Sequence, residues 1–248
     1  VVSQIIVSLI FGYLIFIKKY TMIKISLSVY QFSSKILFKI IKIGLPASFS
    51  MIIMSLGGAS FNRILVEFSS EAVAAFQIGI RLDHFFLIPA ISISTSVVTL
   101  VGMFYGAKKF KLAKEITLYA IRSTLLIGIL IGFIFFIFSD NIVSIFSDNT
   151  NIQNISSQYL RYFVFGYPFI AISMISGRAM QGLGKGIPML VLTLLRVLVI
   201  SIAFSVFFVF FLNKSIEWVW ISQVISVIIS ALIGWFWLIH VFNKINSE

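Results

Sequence analysis

Apolar residues run along this chain in long unbroken stretches, not at the alternating positions of half-buried strands. Seven stretches stand out, at 1–17, 43–66, 72–105, 117–138, 157–177, 187–212 and 216–242. Six of them are long enough to carry a helix across about 30 Å of hydrocarbon, which takes roughly 20 residues. Barrel strands alternate apolar and polar residues over about ten positions, whereas 125–138 (LLIGILIGFIFFIF) is apolar throughout. Backbone groups in lipid must find their partners within the segment, so these stretches predict helices. The expected fold class is an all-α membrane protein, a polytopic bundle of transmembrane helices.

Composition strengthens this picture. Hydrophobic residues make up 60% of the 248 positions and charged residues only 11%. Soluble domains run at roughly 45–50% and about 25%. A soluble chain of this length cannot hide so much apolar surface in one core, because buried volume grows too slowly with size. Disorder, nucleic-acid binding and a secreted disulfide scaffold are excluded, and the partner implied is the lipid bilayer. With no cysteine in the chain, thiolate metal sites and redox motifs are excluded as well.

The net charge of +11 marks topology. Lys18, Lys19, Lys24, Lys35, Lys39, Lys42, Lys108, Lys109, Lys111, Lys114, Arg178, Lys185 and Lys244 fall on one side of the predicted spans, and Arg63 and Lys214 on the other. Thirteen against two predicts that the first side is cytoplasmic, with the C-terminal tail, 243–248, inside and the plasma membrane as the location. The first stretch begins at Val1 without a polar flank and ends at Lys18-Lys19. A signal peptide carries its positive charge before the apolar run, so 1–17 is expected to be the end of a truncated transmembrane helix in a longer protein. The basic connection 18–42 follows. Within it Lys35, Lys39 and Lys42 share one helix face, with Ile36, Leu37, Ile40 and Ile41 around the rest. That spacing predicts an amphipathic helix on the anionic inner leaflet, or a solvated loop with positive-inside charge. Residues 43–242 then form a lobe of six transmembrane helices.

Catalytic and metal signatures are missing. His84 and His240 lack metal-ligand spacing, so no metal site is expected. Gly182-Leu183-Gly184-Lys185-Gly186 lacks the gap and the hydroxyl residue of a phosphate loop and reads as a tight turn, with Pro188 suited to the first turn of the next helix. Polarity inside the spans is what remains, and in a membrane it points to function. Gln77, Arg81 and His84 recur on one face of 72–105. Asp83 lies about 200° around from Arg81 and is expected to reach toward another helix. Two readings stand open for these residues: a substrate or ion cavity, or a structural Arg–Asp link between helices. Ser48, Ser55 and Asn62 form a stripe on 43–66, beside Met51, Met54 and Gly58. Small and hydroxyl residues allow close helix packing, while flexible thioethers suit a pocket that accepts varied shapes. Pro89 and Pro168 are expected to interrupt their spans. Arg196 lies deep in its span and needs a partner that the sequence does not name.

Four short stretches carry a resemblance. Gly44-Leu45-Pro46-Ala47-Ser48 and Ala74-Ala75-Phe76-Gln77-Ile78 come first, then Thr99-Leu100-Val101-Gly102 with Gly106-Ala107, then Gln181-Gly182-Leu183-Gly184 with Pro188. In this order, at helix starts and cytoplasmic ends, they resemble the second six-helix half of the multidrug and toxic compound extrusion (MATE) family. The resemblance implies a twelve-helix transporter of two lobes, of which the N-terminal six-helix lobe is missing here. It also implies efflux of small cationic or amphipathic drug-like compounds by alternating access, as an antiporter and not an enzyme. No cofactor is implied beyond the coupling ion, H+ or Na+. Members resembling the NorM branch carry a Glu in the seventh helix and an Asp in the tenth. The first place is Met54 here, and 157–177 contains no acid. The chain therefore looks closer to the DinF-like branch. A flippase for lipid-linked oligosaccharides, of the same broad architecture, is the alternative.

Overall fold

The computed structural model describes residues 2–18 and 33–246. Contacts divide the chain into two units, 1–38 and 39–248. In the first, α1 (Val2–Gly12) widens into a π-helical turn over Tyr13–Ile17. Lys19, Lys24 and the side chain of Lys39, on which part of the expected basic connection rests, lie outside the described residues.

Next come α2 (Ser34–Val66), α3 (Ser70–Gly106) and α4 (Phe110–Ile137). A short α5 (Ser139–Ser144) leads to α6 (Thr150–Phe163) and, after a 3-10 turn, to α7 (Tyr167–Gly182). The chain continues with α8 (Ile187–Leu194), a π-helical stretch over Leu195–Ile202, α9 (Ala203–Val206), a second π stretch over Phe207–Phe211, and α10 (Glu217–Asn246). Among the described residues six stretches are long and apolar enough to cross a membrane: 34–66, 70–106, 110–137, 150–182, 187–211 and 217–245.

Several boundaries differ from those read off hydropathy, because helices run on past the apolar window. The division expected at 42/43 has no counterpart as a helix break. Residues 34–43 contain no Gly or Pro, and Pro46 lies inside α2, where it removes one backbone donor without ending the helix. Pro46 therefore does not mark a helix start. Lys35 and Lys42 are exposed on this continuous helix. Pro89 likewise sits within an unbroken α3 and not at an interruption. Pro168 is different: it occupies the first turn of α7 just after the 3-10 turn Val164–Gly166, so α6 and α7 form one span with an offset. That span starts at Thr150, earlier than the apolar run suggests, because Asn149 caps it by accepting from the backbone N–H groups of Asn151 and Ile152. Arg161, which the apolar window places inside the span, instead pairs with Asp140 of α5 at 2.6 Å. It belongs with Arg63 and Lys214 at that end of the bundle.

Two buried clusters follow one another along the second unit. One joins Phe61, Leu65, Phe76, Phe86, Tyr159, Tyr167 and Trp220. The other joins Val101, Ile121, Ala179, Met180, Leu192 and Leu238 near the opposite helix ends. The α6–α7 span is the most buried of the six and packs on α3, α4 and α10. Polar groups on it therefore face other helices. Close approach is built with small residues: a Cβ on Gly182 would lie 2.7 Å from the Val98 carbonyl oxygen, and one on Gly102 3.4 Å from the Gly182 carbonyl oxygen. The turn after α7 uses Gly184 at φ +80°, a conformation that favours glycine, with Pro188 opening α8.

Candidate functional site

Asp83 lies about 20 Å along α3 from Ser70, at 1.5 Å per residue. It is buried, at 4% exposure. An acid at such depth requires partners. They come from the span that packs on α3: the Tyr159 hydroxyl of α6 donates to Oδ2 at 2.6 Å, and the Tyr167 hydroxyl of α7 donates to Oδ1 at 2.7 Å. Each carboxylate oxygen thus accepts one phenol and keeps lone-pair capacity for a further ligand.

The two rings are held by their neighbours. Tyr159 stacks on Phe163, meets the Trp220 ring edge-on at a centroid distance of 4.9 Å and contacts Phe76 edge-on. Tyr167 stacks on Phe86 at 4.6 Å. A glycine is needed below the Tyr159 ring: a Cβ on Gly79 would run into Cδ1 and Cε1 of that ring. Sequence, packing and site are joined here, because the small residue on α3 admits the ring whose hydroxyl reaches Asp83 four residues further on.

Asp83 and Tyr159 line a cavity of about 260 Å³ together with Met54, Phe61, Phe76, Phe163, Arg196, Ser201 and Gln223. A second cavity of about 220 Å³ adjoins it, sharing Met54 and Arg196 and adding Met51, Met174, Arg178 and Met189. Of the residues singled out in the sequence, Met54, Gly58, Asp83 and Arg196 therefore converge on one cavity, with Met51 in the next. The others do not join them. Gln77 donates to Asn62 Oδ1 at 3.1 Å and ties α3 to α2. Arg81 is exposed, and Asp83 is bonded to the tyrosines and not to it. His84 is exposed, with Nδ1 2.6 Å from the Ile80 carbonyl. The Ser55 hydroxyl bonds back to the Met51 carbonyl of its own helix. Gly44 has open space around it, Gly106 ends α3, and Gln181 accepts from Arg178 Nη1 at 3.3 Å.

Tyr159, Tyr167, Ser201 and Gln223 were not picked out by sequence reasoning. A signal existed for the tyrosines, since a phenol hydroxyl inside a span needs a partner. Which acid they serve depends on the packing of α6–α7 against α3. Among the described residues no group of His, Cys, Asp or Glu is placed to hold a metal ion.

The apolar bundle thus presents a shielded carboxylate and a guanidinium on one partly open cavity. The MatE family model matches residues 46–207, and the chain belongs to this family, whose members are transporters and not enzymes. Over 194 residues it is 26% identical to a probable multidrug resistance protein NorM of Thermotoga maritima, covering 77% of this chain and 41% of that protein. A protein of the same description from Bacillus cereus is 22% identical, covering 82% of this chain and 44% of the relative. The fold of a solved MATE structure in the straight conformation superposes on the whole chain with a TM-score of 0.94 at 24% identity, and this chain covers 56% of it. The chain thus spans about half the length of the proteins it matches. Both relatives are described as probable multidrug resistance proteins, and the alternative of a lipid-linked oligosaccharide flippase is not favoured.

Proposed function

We propose that this chain is one lobe of a two-lobe secondary transporter that exports amphipathic drug-like compounds, cationic ones among them, by alternating access in exchange for H+ or Na+. The observation that carries the reading is Asp83, a carboxylate held between two tyrosine hydroxyls on a partly open cavity of a helix bundle. A buried acid is costly in a membrane and is retained where a cation must come and go. With one lone-pair direction left on each oxygen, the seat suits a proton or a small metal cation. The cavity walls, Met54, Phe61, Phe76 and Phe163, suit the apolar body of a compound of variable shape. The absence of acids at Met54 and within 157–177 supports the DinF-like branch, although the relatives carry the NorM name. In liposomes holding this chain with a complementary N-terminal six-helix lobe, an imposed pH or Na+ gradient should drive accumulation of the amphipathic cation ethidium. No movement of ethidium under either gradient would sink the antiport reading.

We place the protein in the plasma membrane with its C-terminus in the cytoplasm. Lys108, Lys109, Lys111, Lys114, Lys185 and Lys244 cluster at one set of helix ends, which supports that orientation. A cysteine at Ser147 is expected to react with an impermeant thiol reagent outside intact cells, and one at Lys109 only after the membrane is opened. The opposite pattern would reverse the topology.

A further inference from the structure

Arg196 makes no hydrogen bond or ion pair among the described residues, although it lies within a membrane span and faces both cavities. Two further groups on the same cavity are also without partners. Ser201 Oγ and Gln223 Nε2 are buried in side chains only 2% and 8% exposed, and neither finds a hydrogen bond. A guanidinium and an amide NH2 can only donate, and a hydroxyl can donate.

The backbone is wound to bring two of these together. Arg196 and Ser201 lie in the π-helical stretch Leu195–Ile202. In an α-helix residues five apart point about 140° away from each other. The i→i+5 turn of a π-helix puts them one turn apart on the same side, and such turns recur at functional sites. Gln223 arrives from α10 across the cavity. Asp83, the acid on this cavity, has both oxygens engaged by tyrosines and forms no ion pair with Arg196.

We propose that Arg196, Ser201 and Gln223 form a subsite for a small oxyanion, the carboxylate or similar anionic group of an amphipathic substrate whose apolar body lies against Met54, Phe61 and Phe76. Water alone would satisfy the hydroxyl and the amide. An unpaired guanidinium at membrane depth calls for negative charge, and its fork of donors matches an oxyanion. The assignment rests on the transporter reading and extends the amphipathic class to compounds that carry an anionic group, zwitterions included.

The test is binding to the full 248-residue chain in lipid nanodiscs, with three probes of one apolar body: 2-naphthoate, 2-naphthamide and 2-naphthylmethylamine. The carboxylate should bind about tenfold or more tightly than the amide or the amine, as a charge-assisted pair implies. Arg196→Gln should erase that preference, with a thermal unfolding transition close to that of the unaltered chain showing that the variant is folded. Arg196→Lys should restore part of the preference. Ser201→Ala and Gln223→Leu should each reduce it. Equal binding of the three probes, a preference for the amine, or a carboxylate preference that survives Arg196→Gln would overturn the subsite. Because no transport is measured, failure here leaves the antiport test standing, and failure of antiport leaves this binding result intact.

Discussion

Asp83→Asn, in the transporter assembled from this chain and a complementary lobe, is expected to lower gradient-driven export per molecule by about tenfold or more, the scale of a lost ionic interaction of 1–2 kcal/mol. The substitution is nearly isosteric. Its amide oxygen can accept one of the hydroxyls that now bond Asp83, from Tyr159 or Tyr167, and its NH2 can donate to the other oxygen. The geometry is therefore largely preserved, and the loss of folding stability should stay near the 1–3 kcal/mol of one altered buried hydrogen bond. What the amide cannot do is take up and release a proton or a sodium ion. Export per molecule and thermal stability, measured on the same preparation, separate the roles. If abundance and stability collapse while each surviving molecule exports normally, Asp83 is a structural acid and the exchange role is wrong.

The second large effect concerns the chain by itself. Alternating access needs two bodies that rock around a shared site, and this chain covers 41–44% of its T. maritima and B. cereus relatives. Expressed alone it is expected to insert into the membrane and confer no drug resistance. Co-expression with an N-terminal six-helix lobe of a family relative is expected to restore export. Growth at inhibitory drug concentration, with membrane abundance followed in parallel, reads the outcome. Resistance conferred by the chain alone, at an abundance that its paired form needs, would show that one lobe suffices.

Much of the fold was legible along the chain because lipid imposes a one-dimensional rule. A span must be apolar over its length and satisfy its own backbone, so runs such as 125–138 can be counted without knowing what they pack against. The ends were less legible. Asn149 starts the α6 helix through a local cap that hydropathy does not register, and α2 runs on through Pro46 because one missing donor does not end a helix. Pro89 led to the same overestimate of disruption.

The candidate site divides in the same way. The chain alone showed that Arg196 lies deep in an apolar span and that Asp83 belongs to the long stretch 72–105, so that both charges must be answered for, because burying a charge is costly in an apolar medium. It also determined from helix geometry that Asp83 points away from Arg81. Tertiary structure alone decided who answers. Tyr159 and Tyr167 stand 76 and 84 positions from Asp83, and only the packing of the α6–α7 span on α3, across the bare surface of Gly79, brings their hydroxyls to it. The same holds for Arg196 beside Ser201 and Gln223: the π winding of 195–202 changes which residues share a face, and α10 supplies the third group. Burial cost is local to a residue and survives in the sequence, whereas the partners that offset it are set by contacts between distant segments.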